Sequence, residues 1–325
     1  MKFKAVVSER GLRCLTKGFA PMLEKFGRTV QVLLGPEAVH LVQDKGNTDG
    51  AHLTARISKA VLFERGTLTI GSKHRDLIAF SMDLQMLVRV LRAAMEMGAE
   101  SLEVKLAVRQ VQVDTEGTVE SRPFLSFAGR GVALNLDMDM PISQPYLPAE
   151  VERLREASEH DSSAAYYVSL QQELPRVHAV LEKLKSLRDR LDVGTTEAGD
   201  LHLYMRDETA HVGTELRGLA VVWPDQEANR QEAEAAEAAT REDSAAARLA
   251  SALRLGTGHR VTVLTRHFSK VLQCCQIAQT QHILCGIAQG GWCLHFAFVF
   301  QDLASGGVSD DTSLSVKLPV MQAQN

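Results

Sequence analysis

The residues best suited to chemistry near the end of the chain are Cys274, Cys275, His282, Cys285, Cys293 and His295, all of types that ligate zinc and similar metals. Their spacing argues against a metal centre. No CxxC pair occurs, and the vicinal Cys274 and Cys275 would point in different directions on a helix. Buried thiols and core or edge histidines are the simpler reading, so no metal is expected. Asp137 and Asp139 alternate on one strand face and could act as paired carboxylates, but no third ligand accompanies them. A solvated strand face accounts for both. The glycine-rich pieces GTGHR and AGRG fit neither a dinucleotide fingerprint nor a P-loop, and no GxSxG elbow is present. The chain offers no nucleotide site, and no cofactor is expected.

A different chemistry, the neutralisation of phosphate, is carried by Lys and Arg on four amphipathic segments that open near Leu12, Leu84, Val177 and Phe268. At about 100° per residue, Leu12, Leu15, Phe19, Met22, Leu23 and Phe26 share one face of the first. Arg13, Lys17 and Arg28 lie opposite, Lys25 flanks them, and Pro21 should kink or divide the helix. The third buries Val177, Val180, Leu181, Leu184 and Leu187, with Arg176, Lys183 and Arg190 on the other side. In the second, Leu84, Leu87, Val88, Leu91 and Met95 form the stripe. Arg89 is exposed and Arg92 marginal, while Met86, Val90 and Met97 also point outward and weaken the basic signal. The fourth buries Phe268, Val271, Leu272 and Cys275 and exposes Lys270 and Gln273, although Ile277 interrupts its polar face.

Each segment follows a short apolar strand and precedes others, so four strand, helix and strands units are expected, with one helix face on a sheet and the other free. The first unit has FKAVV, RTVQVLL, EAVHLVQ and AHLTARI, and the second LIAFSM, LEVKLAV, PFLSFAG and VALNLDMDM. RQVQVDTEGTVESR interrupts the second as a loop or protruding hairpin around Glu116 and Gly117. The third resumes with YYVSL, LHLYMRD and HVGTELRG, and the fourth runs RVTVLTR, HILCGIA, WCLHFAFVF and SLSVKLPV. Two domains are expected, 1–140 and 164–325, joined by a proline-marked connector at 141–163. An Ala- and Glu-rich insertion at 225–256 opens with a stretch that has no apolar stripe and cannot join a core.

The formal charge of −4 does not by itself suggest a polyanion partner. Its distribution does: the four helical segments carry +3, 0, +2 and +1, leaving −10 for everything else. Single cations on a helix surface are what any soluble protein shows, and only their repetition points to sequence-independent DNA binding. The opening MKFKAVVSERGLRCL has no apolar core of a signal peptide, and the longest apolar run, Trp292 to Phe300, is too short to span a membrane. Five cysteines, an odd number with two adjacent, do not make a secreted disulfide framework; a reducing compartment, nucleus or cytosol, is expected.

The opening MKFKA with its helix, the connector PISQPYLP, the helix LPRVHAVLEKLKSLRDRL and the closing order HFSKVLQ to LSVKLPV resemble the Hus-one (Hus1) family. The likeness spans nearly the whole chain apart from the hairpin and the acidic insertion. It implies an α+β sliding-clamp fold with two similar domains, each of two strand, helix and strands units, and helices lining a ring around DNA. It implies a non-catalytic subunit of the nine-one-one DNA-damage checkpoint clamp, partnered by Rad-nine and Rad-one type subunits and a clamp loader. Double-stranded DNA and repair and checkpoint proteins would be further partners, with the nucleus as principal compartment. Arg13, Lys17, Lys25, Arg28, Arg176, Lys183, Arg190 and Lys270 would face DNA, with Arg89 and Arg92 as lesser members. Subunit contacts would fall on edge strands, by order around Val132, Leu134, Leu136 and Met138, and around Val212, Thr214 and Leu216. Two rivals stand beside this reading: a homotrimeric replication-type clamp or another ring subunit, and an α+β nuclease using Asp137 and Asp139.

Overall fold

Strict alternation of inward apolar and outward polar residues makes half-covered strands, and the chain uses it from the start: Phe3, Ala5 and Val7 are buried in the first strand between exposed Lys2 and Lys4. A computed structural model describes residues 1–44, 46, 48–98, 101–112, 119–131, 135–159, 164–206, 211–224, 244–277, 280–301 and 308–321. It divides into two units, Met1–His160 with Ile277–Gln279 and Ser309–Leu314, and Asp161–Gln276 with Thr280–Val308 and Ser315–Asn325.

In the first unit β1 (Lys2–Val7) leads into α1 (Glu9–Cys14), whose first turn is capped by the Ser8 hydroxyl accepting the Gly11 N–H at 2.9 Å. A π-helical turn, Leu15–Phe19, joins it to α2 (Ala20–Glu24). Pro21 explains the turn. Having no N–H and a bulky ring, it cannot continue a regular helix, and the widened turn lets the Ala20 N–H reach Leu15 O instead. The expected division at Pro21 is therefore present, and Phe19, Met22 and Leu23 remain wholly buried across it. Each such side chain is worth about 1.5–3 kcal/mol relative to exposure.

There follow β2 (Thr29–Leu34), β3 (Ala38–Gln43), β4 (His52–Ser58), α3 (Lys59–Leu62), β5 (Thr69–Gly71), β6 (Ile78–Asp83), α4 (Leu84–Glu96), β7 (Ser101–Gln112), β8 (Val119–Arg130) and β9 (Asn135–Pro141). They form two antiparallel sheets, ordered β4-β3-β2-β6 and β5-β1-β7-β8-β9. β7 and β8 stay paired out to Gln112 with Val119, beyond the reach of β1 and β9, so the expected hairpin protrudes; its tip lies outside the described residues. Gly11 is needed where it stands, because a Cβ there would press into the Leu62 backbone, 2.8 Å from its Cα.

The second unit repeats this order. β10 (Tyr167–Ser169), α6 (Leu174–Lys185), β11 (Arg190–Thr196), β12 (Leu201–Arg206), β13 (His211–Leu216) and β14 (Val221–Val222) are followed by α7 (Ala245–Leu255) and β15 (Gly258–Leu264). α8 (Thr265–Ile277), β16 (Thr280–Ile287), β17 (Cys293–Gln301) and β18 (Val308–Pro319) complete it. The orders β13-β12-β11-β15 and β14-β10-β16-β17-β18 match those of the first unit strand for strand. In both, the central strand of the four-stranded sheet pairs with the strand ahead of the second helix.

Each four-stranded sheet also carries a helix on the face turned away from the repeated helices. Neighbouring residues on a strand point to opposite faces, so Leu33 faces away from Val32 and Leu34, and α5 (Pro148–Glu159) lays Val151 and Leu154 on Leu33, Val42 and Ala79. The stretch before α5 is strapped along β6 by Ser143 N–H to Ser81 O at 2.9 Å and Tyr146 N–H to Ala79 O at 2.8 Å. The expected connector at 141–163 is thus packed on the first unit through residue 159. In the second unit α7 sets Leu249 over Gly194, where a Cβ would lie 2.9 Å from a leucine methyl. Within the expected insertion at 225–256, residues 245–255 form this helix and bury Leu249, just past the stretch without an apolar stripe; residues 225–243 lie outside the described residues. Gly11→Ala is expected to lower stability by about 1–3 kcal/mol, read from urea denaturation, because the obstacle is backbone rather than a movable side chain.

Candidate nucleic-acid interface

The helix stripes fall largely as the periodicity predicts, and a few positions do not. Leu187 is 57% exposed, because α6 ends at Lys185 and Ser186 closes it, so 187–189 belong to a turn. For the same reason Arg190 opens β11 instead of ending a helix. Val90, expected to point outward, is buried, because α4 packs beside α2 and has a second apolar contact. Val180 and Met95 are only half-buried.

On the solvent side, Arg13, Lys17, Lys25, Arg28, Arg89, Arg92, Arg176, Lys183 and Arg190 are all exposed. They differ in how far neighbouring carboxylates hold them. Arg13 is paired with Glu9 at 2.6 Å, Arg176 with Glu173 at 3.6 Å, and Arg28 with Asp83 at 2.5 Å, whereas Lys17, Lys25 and Lys183 form no ion pair with a described residue. Exposed pairs of this kind are worth little and yield readily to a phosphate. Lys270 is half-buried and already engaged in an interaction, a poorer candidate than its spacing suggested. Arg266, exposed on the first turn of α8, was missed because the apolar stripe was read from Phe268. Its signal is Thr265, whose hydroxyl donates to Arg188 O at 3.1 Å where the helix starts.

Asp83 ties this surface together. Its carboxylate caps α4 by accepting the Gln85 and Met86 N–H groups and also holds Arg28. Burial alone would raise its pKa, but the Arg28 bond and the two N–H groups outweigh that and hold it below the usual 3.8.

The two expected contact segments lie on strands that end their sheets, β9 and β13. Leu136 and Leu216 are buried, Met138 and Thr214 half-buried and Val212 exposed; Val132 and Leu134 lie outside the described residues. Each edge strand is hydrogen-bonded on one side to its neighbour in its own sheet.

The rival chemistry loses its geometry. Asp139 accepts a bond from Ser126 and is paired with Arg109 at 2.7 Å, while Asp137 is exposed, and neither belongs to a metal-competent cluster among the described residues. The Ser126 bond chiefly, with Arg109, depresses the Asp139 pKa despite opposing burial. Cys274, Cys275, Cys285 and Cys293 are buried, and burial raises the Cys275 and Cys285 thiols well above their ordinary range. His295 is held between Tyr167 and Ser315, both at 2.8 Å, and burial brings its pKa down to about 4. His282 is exposed.

Two repeated units of paired antiparallel sheets, each with two helices on one face, define the sliding-clamp fold. The PCNA crystal structure from Thermococcus kodakaraensis is similar, with a TM-score of 0.56 and 13% identity over 98% of this chain and 100% of that one. PCNA from Entamoeba histolytica gives the same TM-score at 9% identity, over 98% of this chain and 99% of that one. Within that fold the chain belongs to the Hus1-like protein family, whose model matches residues 1–320. None of the curated proteins matches in sequence.

Because the Asp83 pKa is depressed on folding, the stability it supplies is present above about pH 4 and is lost as the pH falls through its folded value. Asp83→Ala should cost about 1 kcal/mol at neutral pH, shrinking as the pH falls below 3.8 in urea melts. Asp83→Asn, which keeps the capping oxygen, should cost less.

Proposed function

We propose that this chain is a non-catalytic subunit of a heterotrimeric checkpoint clamp that encircles DNA, is loaded at damaged sites by a dedicated loader, and displays docking surfaces for repair and signalling proteins in the nucleus. The observation that carries the reading is a repeated fold whose helices bury one stripe and present Lys17, Lys25, Arg89, Arg92 and Lys183 on the opposite side, in a chain of the Hus1-like family. Cations on rigid helices bind phosphates without reading bases, as a clamp that moves along DNA requires.

Two strands that end their sheets among the described residues support the assembly. β9 and β13 come from different sheets, so neither is a copy of the other, and such edges suit head-to-tail contacts made by backbone hydrogen bonds. Rad-nine and Rad-one type subunits are the partners that the family suggests for them.

Light scattering on this chain alone and mixed with those partners tests the assembly. A one-to-one-to-one complex is the expected result; a homotrimer would favour a replication-type clamp, and a persistent monomer would overturn the reading. In the assembled complex, Lys17→Glu with Lys183→Glu should weaken DNA binding and reduce the slope of log affinity against log salt by about 2, leaving the complex mass unchanged. Binding with an unaltered slope would show that these helices do not meet DNA.

A further inference from the structure

A second constellation lies on the sheet face under α7, away from the basic helices. His202, the second residue of β12, pairs in register with Glu215 of β13 on one side and with Gly194 of β11 on the other, and Asp200 immediately precedes β12. The potential ligand atoms of Asp200, His202 and Glu215 all lie within 4.8 Å of one another. The His202 side chain is wholly buried, yet its Nε2 has no hydrogen-bond partner among the described residues and stands 3.7 Å from Glu215 Oε1, too far for a good bond. Leaving such a nitrogen unsatisfied is unfavourable in a dry interior, so its position calls for an explanation.

We propose that Asp200, His202 and Glu215 form a binding site for a divalent cation of the zinc class. Two ligands bonded to one tetrahedral zinc at about 2.0–2.1 Å stand roughly 3.3 Å apart; the 3.7 Å between His202 Nε2 and Glu215 Oε1 is close to that, and the remaining separations, within 4.8 Å, would shorten on binding. The rest of the arrangement resembles a prepared outer shell. His202 Nδ1 lies 2.9 Å from the Tyr204 hydroxyl, and an Nδ1–H donated to that oxygen leaves the Nε2 lone pair facing the two carboxylates. Arg248 of α7 grips Glu215 with Nε on Oε1 at 3.0 Å and Nη2 on Oε2, orienting the carboxylate while leaving its outer lone pairs available. Gly194 contributes no side chain, and Leu249 closes the space above it.

An imidazole among the ligands disfavours magnesium and calcium, and the absence of thiolate from the cluster disfavours copper(I); one imidazole and two carboxylates, with water completing the set, suit zinc. A cation there would pin Asp200 and β12 to the edge strand β13.

The test is isothermal titration of the full-length chain with zinc chloride, with cobalt(II) absorption as a spectroscopic report of nitrogen and oxygen ligation. One zinc per chain is expected, together with a rise in the unfolding temperature. Asp200→Asn and His202→Gln should each weaken binding by about tenfold or more and abolish the thermal shift. Should the buried His202→Gln variant fail to fold, Asp200→Asn, at a half-exposed position, decides alone. No zinc uptake by the wild-type chain, or undiminished uptake by Asp200→Asn, overturns the proposal.

Discussion

The apolar stripe that seats each helix on its sheet, Phe19, Met22 and Leu23 in the first and Phe268, Val271 and Leu272 in the last, governs what the rest of the molecule can do. Once that stripe is buried, the opposite side of the helix is committed to solvent, and whatever charge stands there is presented on a rigid support. The sheets are committed in turn. Their inward residues are used up by the helices, so the outward residues of β2, β3 and β6, and of β11 and β12, are left to find other cover. The chain supplies it from its connections, α5 in one unit and α7 in the other.

The strands and the repeated helices were legible because each obeys a single period over six or more residues. Alternation located β1 to β4 and the 3.6-residue stripe located α4 and α6, since burial on one side is what produces those patterns. What the pattern hid was anything set by a third element. Val90 looks like a misplaced apolar residue until α2 is laid beside it, and Leu187 looks like the last residue of a stripe until Ser186 ends the helix. α7 was hidden for a different reason: its sequence is rich in alanine and buries only one leucine, so its seat comes from the gap above Gly194.

Sequence spacing foretold the exposure of most of the cations but not how firmly each is held. Sequence spacing places Arg13 and Arg28 with Lys17 and Lys183, but their partners separate them, because Glu9 lies one turn before Arg13 while Asp83 reaches Arg28 from another strand. The Asp200, His202 and Glu215 group left no sequence signal at all. Its members meet across two strands, through a pairing register that no spacing rule encodes.

The state of the thiols carries a practical consequence. Cys14, the only one of the five that is half-buried, has its pKa raised to about 12 by burial in spite of Arg10, so at neutral pH it stands almost wholly as the thiol. The other four lie deeper. Maleimides, alkylating reagents and mild oxidants act on thiolate, so the folded chain should be nearly silent to them. A cysteine introduced on an exposed helix position such as Lys17 would then be the dominant reactive sulfur, letting a fluorophore or spin label be placed at one chosen point without first stripping the native cysteines from the core.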